Sequence, residues 1–66
     1  MEILLTMDDW FNWSDTQLDS ISHHVKYALD KAMQLDSTLD EDYCLQYYTV
    51  VYTYDTICFT FKKESV

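Results

Sequence analysis

Glycine, proline and arginine are all missing from these 66 residues. Loops that cradle phosphate need Gly so that backbone amides can approach closely, which excludes the Walker and dinucleotide fingerprints. Without Arg there is no bidentate clamp for phosphate or carboxylate, and a phosphoryl-transfer reading loses its usual anion handle. Cations are scarce as well: 4 Lys stand against 12 Asp and Glu, for a formal net charge of -8. Nucleic-acid binders and membrane-surface helices need Lys or Arg to meet phosphates, so this balance disfavours both. Two Cys are too few for the multi-bridge framework of a small secreted domain, and a reducing cytoplasm is the expected compartment. No apolar run approaches the ~18–20 residues of a membrane span, and no secretory apolar core follows Met1.

What is present is apolar and aromatic. Hydrophobic residues make up 48% and aromatics 17%, too much for a disordered chain. The length suits a single domain spanning residues 1–66. Residues 1–7 read as a short strand with Ile3, Leu5 and Met7 on one face. Residues 8–13 read as a connection carrying Trp10, Phe11 and Trp13. A helix start follows: Ser14 is a natural N-cap, Gln17 completes a capping box, and Trp13 is placed to staple onto Leu18. One helix is expected over residues 15–35, with Leu18, Ile21, Val25, Ala28, Leu29, Ala32 and Leu35 as its apolar stripe. Asp15, Asp19, His23, Lys26, Asp30 and Gln34 fall on the opposite face.

Residues 36–42 form an acidic connection, after which Tyr, Thr, Val, Ile and Phe dominate. Two antiparallel strands are expected over 44–53 and 56–63, with Asp55 at the turn because Asp tolerates left-handed backbone. A two- or four-residue loop centred on Tyr54-Asp55 pairs Tyr52 with Ile57, Val50 with Phe59 and Tyr48 with Phe61, and directly opposed residues share a face, whereas a three-residue loop would flip the second strand relative to the third. These six would meet the helix, leaving Leu45, Tyr47, Thr49, Val51, Cys58, Thr60 and Lys62 outside. The expected fold is therefore α+β: a single small β-α-β-β domain with one helix on a three-stranded, largely antiparallel sheet.

Catalytic groups are sparse. His23 and His24 read as parts of a solvated helix face, and neighbouring histidines point about 100° apart, too divergent to share a metal. Cys44 and Cys58 have no basic neighbour to activate them, and their spacing along the proposed hairpin keeps them unbridged. The cluster Asp36, Asp40, Glu41 and Asp42 lacks the spacing and central Gly of a calcium loop. No enzyme activity, metal or cofactor is expected.

The carboxylates themselves point elsewhere. Asp8, Asp9, Asp15, Asp19, Asp30, Asp36, Asp40, Glu41 and Asp42 fall in loops or on the polar helix face, and Trp10 and Tyr47 are candidate aromatic anchors beside them. Clefts that bind nucleic acid are lined with Lys and Arg, and spaced carboxylates are suited to occupy one. On one helix Asp15 and Asp19 would stand ~6 Å apart along the axis, close to the phosphate repeat, whereas Asp30 lies ~17 Å further on. In charge and layout the chain resembles the small acidic phage-encoded proteins that disable host nucleases, restriction enzymes or CRISPR effectors by mimicking nucleic acid. It resembles more distantly the strand-helix-hairpin portion of the acidic modulators of RecA. Those resemblances imply an inhibitor of a basic nucleic-acid-binding protein, acting in the host cytoplasm without touching nucleic acid or membrane. The alternative is an assembly module whose acidity serves only solubility, homodimeric through the outer face of its sheet.

Overall fold

In the computed structural model, which describes residues 1–64, the helices lie on one side of a three-stranded antiparallel sheet. Strand β1 (Glu2–Thr6) leads directly into α1 (Met7–Trp10), followed by α2 (Asp15–Leu18), α3 (Ile21–Leu35) and α4 (Glu41–Gln46). The chain ends in a hairpin of β2 (Tyr48–Tyr52) and β3 (Thr56–Phe61). Sheet order is β1-β3-β2, so the last strand occupies the centre.

The hairpin register is the expected one: Tyr48 opposes Phe61, Val50 opposes Phe59 and Tyr52 opposes Ile57. On the other side of β3, Ile3 opposes Phe59 and Leu5 opposes Ile57. Alternation then separates two faces. Ile3, Leu5, Ile57, Phe59 and Phe61 enter the core, where Val25, Ala28, Leu29 and Ala32 of α3 meet them with Leu39 and Cys44. Ala28 and Ala32 are fully buried, and their small side chains let α3 approach beside the large rings of Phe59 and Phe61. Each buried Phe contributes on the order of 1.5–3 kcal/mol of apolar transfer free energy. Glu2, Leu4, Thr49, Val51, Cys58 and Thr60 occupy the opposite face, where Leu4 and Val51 stay 57% and 58% exposed.

Four helices stand where one was expected, and each departure has a local cause. The helix over 15–35 is interrupted after Leu18: Asp19 closes α2 through its N–H to Asp15 O, and Ser20 begins again as an N-cap, its hydroxyl accepting from His23 N–H at 3.3 Å. The break frees the carbonyl of Leu18, and His24 Nε2 donates to it at 2.9 Å. His24 is therefore buried rather than solvated, and Leu18, Ile21 and Leu35 of the expected stripe are exposed. Residues 44–46, read as strand, instead continue α4, because Asp40 caps Tyr43 N–H at 3.1 Å and Glu41 and Asp42 occupy the positive end of the turn. Met7, expected on the inner strand face, starts α1 and is exposed.

Two smaller expectations also change. Tyr52 shares the inner face yet is 58% exposed, since it lies at the far end of the edge strand. No described residue adopts positive φ, so the turn at Tyr54-Asp55 closes without left-handed backbone. The Ser14–Gln17 capping box forms as read, with bonds of 2.9 and 3.2 Å. Asp36 ends α3, and its carboxylate then accepts from Thr38 N–H and Oγ1.

Candidate functional site

Carboxylates on this chain fall into two groups. Asp9 and Asp36 are internal struts. Asp9, in the first turn of α1, accepts from Lys31 Nζ at 2.8 Å, Tyr27 Oη at 3.1 Å and Thr6 N–H at 2.9 Å, tying α1 to α3. Burial alone would push its carboxyl up, but the bonds from Lys31, Thr6 and Tyr27 outweigh that and hold it below the usual range. The same contact pushes the Tyr27 phenol up, through burial first and the Asp9 bond second. Asp36 pairs with Lys63 Nζ at 2.8 Å, and this ammonium together with the Thr38 hydroxyl and amide lowers its carboxyl to about 2.

Every other Asp and Glu side chain is exposed. Asp8 sits beside Asp9 on α1 but faces water. Asp15 opens α2 and Asp19 closes it, whereas Asp30 projects from α3. Asp19 N–H bonds to Asp15 O at 3.0 Å, so that pair keeps its one-turn step on α2, whereas Asp30 stands on the separate helix α3 and does not continue the same axis. Asp40, Glu41 and Asp42 gather at the start of α4 and are exposed, although Asp40 is also engaged as the cap. With Lys31 and Lys63 held by Asp9 and Asp36, only Lys26 and Lys62 remain outside an ion pair among the described residues.

The aromatics divide in the same way. Trp10 is half-buried and packs on the core. Trp13 inserts its indole among His23, His24 and Tyr27, with ring centroids 4.5, 5.0 and 5.1 Å away, and so anchors the segment before α2 to α3. His23 Nε2 and His24 Nδ1 are buried there without hydrogen-bond partners among the described residues. Tyr47 is 56% exposed, its ring 4.7 Å from that of Tyr43. Phe11, at 80% exposure, and Tyr54, at 105%, are surface aromatics that sequence reasoning did not single out. Phe11 follows the last residue of α1, in the connection to α2, where no periodicity assigns a face.

Thiols and histidines offer little reactive geometry. Cys44 is buried in α4 and donates to Lys62 O at 3.3 Å, and burial, then Asp40, pushes its thiol up. Cys58 lies across the sheet on the outer face, and both cysteines are free. Among the described residues no three His, Cys, Asp or Glu side chains gather as metal ligands, and no helix is long and apolar enough to cross a membrane. No protein-family model matches the sequence, and no curated protein or solved structure shows significant similarity to it.

Proposed function

We propose that this chain is a non-enzymatic binding protein whose exposed carboxylates engage a basic, nucleic-acid-handling protein of the same cytoplasm and keep it from its nucleic acid. A nuclease, restriction enzyme or CRISPR effector has the Lys/Arg-lined cleft that such a surface suits. The supporting observation is that, among the described residues, every Asp and Glu but Asp9 and Asp36 is exposed, and of the lysines Lys26 and Lys62 are outside an ion pair. The proposed contact set is Asp8, Asp15 and Asp19 around α1 and α2, Asp30 on α3, and Asp40, Glu41 and Asp42 at α4, with Tyr47 as a neighbouring aromatic.

Capture from the native host identifies the partner, and competition then tests the mechanism. The chain should displace DNA or RNA from that partner and lose affinity steeply with salt, since exposed charges are screened beyond ~10 Å at 0.1 M. Asp19→Asn with Asp30→Asn should weaken it further. Binding that ignores salt and both substitutions but collapses on Tyr47→Ala would refute the carboxylate reading. A second reading, an assembly module, draws on the exposed Leu4 and Val51 of the outer sheet face.

A further inference from the structure

We infer that two copies of this chain pair antiparallel along the free edge of β2, centred on Val50, to form a continuous six-stranded sheet. Hydrogen-bond alternation identifies the open groups. Thr53 N–H donates to Thr56 O at 2.9 Å, so Thr53, Val51 and Thr49 turn their backbone toward β3. Tyr48, Val50 and Tyr52 must turn theirs away from β3. No strand lies beyond β2, and none of these three N–H groups finds an acceptor among the described residues.

The other edge is protected and this one is not. On β1 the outward N–H of Thr6 is taken by Asp9, and Glu2 adds a charge. Edge strands are commonly blunted by charge, Pro or a covering element. Residues 43–54 contain no Asp, Glu, Lys, Arg, His or Pro, so β2 has no such device. In a molecule of net charge -8, this is also the stretch along which a second copy meets least repulsion.

Self-pairing fits the strand's own order. Two-fold symmetry about Val50 sets Val50 against Val50 and Tyr48 against Tyr52 of the second copy, and the outward donors and acceptors meet in reciprocal pairs. Side chains of opposed residues lie ~4.5–5.5 Å apart at Cβ. Tyr52, 58% exposed in the single chain, is thereby brought beside Tyr48 of the other copy. There Tyr48 borders an open groove with Ile21, Val25 and Leu45, into which that ring can settle. The contact is small, which places the dimer among weak, concentration-dependent associations.

Amide hydrogen exchange at low and high protein concentration, read alongside sedimentation, tests this directly. The weight-average mass should rise toward twice the monomer value, and Tyr48, Val50 and Tyr52 amides should gain protection as it does. Added salt should strengthen the dimer by screening repulsion, opposite to its effect on the carboxylate-mediated partner complex, so the two ideas fail separately. Tyr52→Pro removes an outward N–H that β3 does not use and should leave a folded monomer. Tyr52→Ala, which spares the backbone, should weaken association several-fold. A protein that stays monomeric at high-micromolar concentration in high salt overturns the inference. So does a dimer that leaves those three amides unprotected and is instead broken by Leu4→Glu on the outer face.

Discussion

Substituting Asp9 by Ala separates a strut from a surface charge, because Asp8 beside it supplies the control. Asp9 holds Lys31, Tyr27 and the Thr6 N–H at once, whereas the Asp8 side chain is exposed. Loss of the Lys31 contact should cost about 1 kcal/mol, since an ammonium 39% exposed regains water. The Tyr27 hydroxyl and the cap on Thr6 should each cost about 1 kcal/mol. Water recovers part of these, which leaves ~2–3 kcal/mol in all. Against a total of ~3–10 kcal/mol for a chain of this length, that is a large fraction. With a urea slope of ~1 kcal/mol/M, the unfolding midpoint should fall by on the order of 2 M, followed by far-UV circular dichroism. Asp8→Ala should move stability by less than ~0.5 kcal/mol. Equal shifts for the two variants would refute the division of the carboxylates into internal and free.

Acid titration tests Asp36 and Asp9 together: both are depressed in the folded state, so their stabilisation is present above the ordinary carboxylate value of 3.8 and is lost as pH falls toward the Asp36 value of about 2. Lys63→Met should flatten the acid limb, and carboxyl NMR titration of Asp36 should move upward. Phe59→Ala, at a fully buried site, should cost ~3–5 kcal/mol and leave the chain largely unfolded by circular dichroism. Alkylation under native conditions should label Cys58 well before buried Cys44, and intact mass should show no two-proton difference on reduction; equal labelling rates would contradict the placement of Cys44.

Alternation alone put Ile57, Phe59 and Phe61 on a single face, and a loop centred on Tyr54-Asp55, rather than a three-residue one, set Tyr48, Val50 and Tyr52 opposite them as observed. Period alone did not reveal the break at Asp19, since Leu18 and Ile21 continue the stripe on paper. What decides it is a second capping Ser six residues after the first, together with His24 closing on the freed Leu18 carbonyl. Strand propensity at Tyr43 and Cys44 was overridden by the Asp40 cap and by burial of Leu39 and Cys44 under α3. For the candidate surface, exposure at Asp8, Asp15, Asp19 and Asp30 followed from composition. The capture of Asp9 by Lys31, 22 residues away, did not, because no local pattern encodes a contact between α1 and α3.

Placing the last strand at the centre of the sheet has a consequence for synthesis. Strands β1 and β2 do not touch, and each finds its partner in β3 alone. While a ribosome is still making the hairpin turn, a nascent chain with β1 and all four helices has no sheet to fold on. The pairing of Met1 with Phe61 then closes a span of 60 residues, which slows folding relative to local contacts. Until Phe59 and Phe61 arrive, Ile3, Leu5 and Leu29 remain open to whatever else is nearby, and the emergence of β3 sets the moment at which the core can close.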